Sequence, residues 1–241
     1  LCQTSAASVV RLSKRMGYLG YKDLCRALSV DLALQKAERS YEDMHPDSSL
    51  AAIARSACRT DIEAIENTLS MCDYDEMEKA VAAMVRAKRI DFYGVGSSNL
   101  VARDGSNKFL RLAKICLSSE DPHYQLVTAS TLGAEDVAVL ISYTGTTFDT
   151  LETMRMAKDA GAVTISITKY GDTPLSSLAD IRLYADNSES LFRSGAMRSR
   201  IGQLAVIDIL FTAVASRMYG TVKPHLEQTQ EILNRKRIHM K

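Results

Sequence analysis

From Arg89 onward the chain alternates short apolar, β-branched runs with segments of helical spacing. RIDFYGVG, AKICLSS, DVAVLISYTG, AVTISITKY and IRLYAD read as strands, and residues 99–111, 123–132, 148–160, 174–179 and 196–219 read as the helices between and after them. Residues 224–237, opening on Pro224, read as a last helix. Strand and helix in alternation predict an α/β fold: a doubly wound, five-stranded parallel sheet with helices on both faces.

The chain ahead of Arg89 has a different texture. Residues 4–28 carry Arg11, Lys14, Arg15, Lys22 and Arg26 against Asp23 alone, so this stretch is locally basic. Thr4 or Ser5 is a good N-cap, Val9, Leu12 and Met16 fall at helical spacing, and Gly17 sits where a left-handed C-terminal residue belongs. A second short helix is predicted over 21–28. SYEDMHPDSS is a polar linker, and residues 49–88 form two amphipathic helices. One has the stripe Ile53, Ala57, Ile62, Ile65 and Leu69, the other Met77, Val81, Met84 and Val85; both stripes are expected to serve core or dimer packing.

At 241 residues, 46% hydrophobic and 24% charged, the chain can bury one large core and a smaller appendage. A net charge of +1 excludes a whole-molecule electrostatic drive toward nucleic acid or membrane but leaves the local basic segment in play. Five cysteines are scattered without CxxC or Cys/His spacing, and the four histidines are equally dispersed. That pattern is expected of reduced thiols in a cytoplasmic protein with no metal site. No uninterrupted apolar run approaches the ~20 residues of a membrane span and no signal peptide opens the chain, so no membrane partner is expected. Leu1 stands where an initiator methionine would, and the sequence reads as a fragment.

Two strand ends are rich in small and hydroxyl residues: GVGSSN, residues 94–99, and SYTGTTFDT, residues 142–150. Each leads into a helix N-terminus, where unpaired N–H groups and the positive end of the dipole favour an anion. Hydroxyls add rotatable donors without bulk, so the pair reads as a phosphate cradle. For either loop alone, N-capping and a tight glycine turn explain the composition equally well. GVGSSN is also an incomplete dinucleotide fingerprint, with Asn99 where the third glycine belongs and Glu120 or Asp121 available as a ribose-binding acid. A Walker loop is excluded because no GxxxxGK motif occurs.

GVGSSN, SYTGTTFDT and AVTISITKYGDTPLSSLAD together resemble the sugar isomerase (SIS) phosphosugar-binding domain, a Rossmann-like fold with motifs G-x-G-S and S-x-S-G-x-T-x-D/E. Thr144 replaces the second serine of the latter and Asp149 supplies its acid. ESLFRSGAMRSRIGQLAVIDIL and TSAASVVRLSKRMGYLGYKDL are similar to one subgroup, the RpiR-type transcriptional regulators, in which a helix-turn-helix precedes the SIS domain. The resemblance implies residues 1–40 as a partial helix-turn-helix, 41–88 as linker and packing helices, and 89–241 as the SIS domain. It implies a phosphosugar effector against Ser97, Ser98, Ser142, Thr144 and Thr147, with the N–H groups of Tyr143 and Gly145 as further donors and Glu189 receiving sugar hydroxyls. It implies operator DNA against Ser5, Ser8, Arg11, Lys14 and Arg15, and a homodimer or homotetramer to match operator symmetry. With the chain opening near the recognition helix, effector binding is expected to persist and DNA binding to be impaired. The same cradle serves aldose–ketose isomerases, with Glu189 as the candidate base; fusion to a DNA-binding segment favours the regulator, and no cofactor is called for.

Overall fold

A computed structural model describes residues 5–28, 31–32, 47–186 and 196–235. The N-terminal segment forms helices α1 (Ala6–Arg15) and α2 (residues 21–28), separated by Gly17 at φ 93°. Two longer helices follow, α3 (Leu50–Ser70) and α4 (Tyr74–Arg86), the second capped by Asp73, whose side chain accepts the N–H groups of Asp75 and Glu76. Then come β1 (Arg89–Gly94), α5 (Ser97–Leu110), α6 (Pro122–Ser130), β2 (Asp136–Ile141), α7 (Phe148–Asp159), β3 (Val163–Lys169), α8 (Pro174–Leu178) and β4 (Ile181–Ala185). Helices α9 (Met197–Arg217) and α10 (Tyr219–Asn234) complete the described chain.

The strands pair in parallel in the order β1-β2-β3-β4, one fewer than the five expected. The expected strand AKICLSS lies beside β1, with Ile90 N–H donating to the Ile115 carbonyl at 2.8 Å and Phe92 N–H to that of Leu117 at 2.9 Å. A regular parallel ladder would return the Leu117 N–H to the backbone of β1. It goes instead to the Asp91 carboxylate at 3.1 Å, and only a single bridge, Arg89 to Ile115, remains. Asp91 is wholly buried and also receives Arg89 Nε at 2.9 Å, the other guanidinium arm at 2.6 Å and the Tyr93 hydroxyl at 3.0 Å. A side chain therefore holds this edge where backbone was expected to.

Alternation along each strand divides the apolar residues between two layers. Ile90, Phe92, Val137, Val139, Ile141, Ile165 and Ile167 face one cluster with Val81 and Met84 of α4, Val101 and Phe109 of α5, and Val206, Ile207 and Leu210 of α9. Tyr93, Ala138 and Leu140 face the other with Ala129 of α6, Met154 and Ala157 of α7, and Leu175 of α8. Helix α5 lies close on β1 because Gly105 has no side chain; a Cβ there would stand 2.7 Å from the Phe92 ring.

Three sequence expectations change in detail. The stripe of α4 is core, but that of α3 faces outward, with Ile53, Ile62, Ile65 and Leu69 exposed and only Ala64 and Thr68 buried. Helix α10 begins at Tyr219 and runs through Pro224, which lies inside the helix and cannot give the Gly220 carbonyl the amide it would otherwise receive. By length and composition α9 could cross a membrane, with a mean hydropathy of 1.3 over its most apolar window; Asp208 hides it from a search for unbroken runs. Its Val206, Ile207, Leu210 and Val214 are spent on the core against the sheet.

Replacing Asp91 by Ala takes the carboxylate from the half-buried Arg89 guanidinium, the Tyr93 hydroxyl and the Leu117 N–H, and should cost about 3 kcal/mol. Urea unfolding should show the loss as a lower midpoint, with amides 115–117 exchanging faster in the native state.

Candidate functional site

The last residues of β1 and β2 are paired, Gly94 with Ile141, so the two hydroxyl-rich loops leave the sheet side by side at its carboxyl edge. If the segment at 115–117 is counted as the outer edge, chain order reverses between β1 and β2, and this is the topological switch point where open α/β sheets bind ligands.

The first loop is shaped by glycine. A Cβ on Gly94 would stand 2.8 Å from the Ser98 carbonyl oxygen, and Gly96 is held at φ 61° as the N-cap of α5. Gly96 supplies no side-chain cap, so the first turn of α5 presents backbone N–H groups without a side-chain acceptor. Ser97 is half-buried there. Ser98 is buried, its Oγ 3.5 Å from Gln203 Oε1 on α9.

Two carboxamides brace this loop from beneath. The Gly94 carbonyl accepts Asn99 Nδ2 at 3.2 Å and Gln125 Nε2 at 2.9 Å, and the Ser119 carbonyl accepts the same two groups at 2.6 and 2.7 Å. In the sequence Asn99 registers only as a missing glycine and Gln125 as one residue of a helix. Neither has a motif to reveal it, because the acceptors they share are backbone atoms at residues 94 and 119. The acids that kept the dinucleotide reading open have other work: Asp121 caps α6 by accepting the His123 N–H at 2.8 Å, and Glu120 pairs with Arg103.

The second loop folds over its own glycine. Gly145, at φ 65°, donates its N–H to the Ser142 carbonyl at 3.2 Å, directing that amide back into the loop. The Tyr143 carbonyl accepts the Lys169 N–H at 2.9 Å, and the Gly145 carbonyl accepts that of Leu175 at 3.0 Å. Ser142 Oγ lies 3.1 Å from Thr147 Oγ1, bringing together two of the expected phosphate contacts. Thr144 Oγ1 accepts the Thr146 hydroxyl at 2.9 Å. Thr147, the N-cap of α7, makes no side-chain cap, so this helix too offers uncapped N–H groups. Two helix N-termini and a set of hydroxyls at one sheet edge can hold a dianion such as a phosphate monoester.

Glu189 lies outside the described residues. In the N-terminal segment, Ser5 caps α1, its Oγ accepting the Ser8 N–H at 3.3 Å, and Arg11 donates to Ser8 Oγ at 3.3 Å. Ser5, Arg11, Lys14 and Arg15 are exposed and Ser8 is half-buried.

Residues 83–213 match the family model described as the SIS domain. The chain is 42% identical over 238 residues to an uncharacterised HTH-type transcriptional regulator of Caldanaerobacter subterraneus subsp. tengcongensis, across 99% of this chain and 84% of that protein. It is 35% identical over 239 residues to the uncharacterised HTH-type transcriptional regulator YbbH of Bacillus subtilis, again across 99% and 84%. Among solved structures, the Vibrio vulnificus NanR protein complexed with ManNAc-6P aligns with a TM-score of 0.74 at 27% identity, over 98% of this chain and 84% of that one. The sugar isomerase domain of the RpiR transcription factor from Sphaerobacter thermophilus shares the fold, with a TM-score of 0.65 at 22% identity over 74% of this chain and 98% of that one.

Gly145→Ala combines a positive φ with a Cβ only 2.2 Å from Thr173 Oγ1. It should destabilise the second loop by about 2 kcal/mol. Calorimetry should record a lower melting temperature.

Proposed function

The chain belongs to the RpiR-type family of SIS-domain transcriptional regulators, and from that premise we propose that it senses a phosphosugar at the β1–β2 edge and relays occupancy to DNA. The observation that carries this reading is the pairing of Gly94 with Ile141, which sets two uncapped helix N-termini and the Ser142–Thr147 hydroxyl pair side by side. The ManNAc-6P bound to NanR supports a sugar phosphate as the ligand class.

In this reading residues 1–40 are the DNA-binding segment, 41–88 the linker and packing helices, and 89–241 the effector domain, working in the cytoplasm. The phosphate sits against Ser97, Ser142, Thr144 and Thr147 and the first-turn amides of α5 and α7. Ser98, its hydroxyl near Gln203, supports the loop from behind. Glu189 is assigned to the sugar hydroxyls, and Ser5, Ser8, Arg11, Lys14 and Arg15 to DNA. The exposed apolar stripe of α3 is the surface a second subunit would cover in a homodimer or homotetramer.

The regulator relatives favour a sensor over an isomerase. Hydroxyl and amide donors hold an anion, and isomerisation needs in addition a base within reach of the carbon beside the carbonyl, for which Glu189 is the candidate. A sensor needs only different affinities for two arrangements of the protein.

Sugar phosphates, N-acetylmannosamine 6-phosphate among them, should raise the melting temperature of the chain while NAD leaves it unchanged. Ser142→Ala with Thr147→Ala should abolish the shift and leave the unliganded melting temperature within about 1 kcal/mol of stability of the parent. Incubation with aldose 6-phosphates should yield no ketose by chromatography; turnover would make the chain an isomerase.

A further inference from the structure

Helix α2 is stitched to the sheet domain by Arg26 and Asp23, with the exposed Lys22 also reaching Asp75 at 4.0 Å. Arg26 pairs with Asp73 at 2.7 Å, joining α2 to the cap of α4. Asp23 makes the second connection and uses both carboxylate oxygens. One accepts the Leu19 N–H at 2.9 Å and so fixes the turn between α1 and α2; the other accepts the Tyr170 hydroxyl at 2.5 Å. The Tyr170 ring is held edge-on by Tyr184 of β4, with centroids 5.1 Å apart at 61°.

Tyr170 directly follows β3, in the segment on which the second loop rests. Lys169 donates to the Tyr143 carbonyl, Leu175 donates to that of Gly145, and Thr173 stands against the bare Cα of Gly145. Residues 171–176 are tied together, because Thr173 and Ser176 cap each other reciprocally and Ser176 Oγ reaches the Gly171 carbonyl at 3.4 Å. The hydrogen bond at Tyr143 and the one at Asp23 are therefore carried by adjacent residues, Lys169 and Tyr170.

We propose that Tyr170 is the positioning residue through which occupancy of the Ser142–Thr147 loop sets the orientation of α1 and α2. The proposal rests on the reading of the chain as a phosphosugar-responsive regulator. When the second loop closes on a phosphate it draws on Lys169, and a displacement of about 1 Å takes the Tyr170 hydroxyl beyond hydrogen-bonding distance of Asp23. Asp23 also holds the turn before α2, so the tilt of α1, with Arg11, Lys14 and Arg15 exposed along it, changes with that bond. Burial, then the bond to Asp23, pushes the Tyr170 hydroxyl above the usual tyrosine range.

Hydrogen exchange read by mass spectrometry on the whole chain tests this, with wild type, Tyr170→Phe and Asp23→Asn compared with and without N-acetylmannosamine 6-phosphate. Without the sugar, residues 19–28 should exchange about tenfold faster in both variants while β1 and β2 are unchanged, the scale of one hydrogen bond to a charged group. Equal exchange in wild type and Tyr170→Phe overturns the proposal. With the sugar, residues 5–28 of wild type should change their exchange, whereas Tyr170→Phe, with no bond to break, should bind it up to about tenfold more tightly and show no response there. A response that survives in Tyr170→Phe also overturns it. If neither this sugar phosphate nor any other binds wild type, the functional reading fails, while the sugar-free comparison still decides whether Tyr170 holds α2.

Discussion

The pairing of β1 with β2, closing at Gly94 and Ile141, is the constraint on which the rest of the molecule depends. Parallel strands need crossovers, and crossovers on opposite faces put the N-termini of α5 and α7 at one point on the carboxyl edge. Both helices begin without a side-chain cap, an arrangement that leaves donors unspent. Asp73 on α4, Asp121 on α6 and Thr173 on α8 each accept first-turn amides, whereas α9 and α10, like α5 and α7, begin without a side-chain cap. What sets α5 and α7 apart is that their first turns lie together at the carboxyl edge of β1 and β2.

Rigidity beneath those loops comes from polar groups in an otherwise apolar sheet. Asn99 and Gln125 share the Gly94 and Ser119 carbonyls, and Asp91 gathers Arg89, Tyr93 and the Leu117 amide. Buried donors paired in this way fix one arrangement, since any slip leaves several of them unpaired, as the Asn99 and Gln125 side-chain oxygens already are. The β1 edge is thus built to hold still, while the second loop leans on residues 169–175, which extend to Tyr170 and through it to α2.

Much of this was legible in the sequence because it follows from local chemistry. Alternation gave the parallel sheet, the glycines at 17, 96 and 145 gave the turns, and Ser142 and Thr147 lie close enough along one loop to be read as a pair. What escaped was long-range. AKICLSS has the composition of a strand, and its loss as a regular one comes from Asp91, 26 residues before the amide it takes. The stripe of α3 has helical periodicity, but periodicity cannot say whether the partner is the chain's own core, and Ile62 and Ile65 face outward. Asn99, Gln125 and Tyr170 act on backbone carbonyls or across 147 residues, distances at which no motif forms.

The proposed function rests on the phosphate seat between the two loops. Backbone amide NMR during titration with N-acetylmannosamine 6-phosphate, or whichever sugar phosphate gives the largest thermal shift, measures it most directly. The largest perturbations should fall on residues 97–99 and 142–149, at the first turns of α5 and α7, and saturate together. Perturbations that leave both turns unmoved while the sugar phosphate binds elsewhere would contradict it.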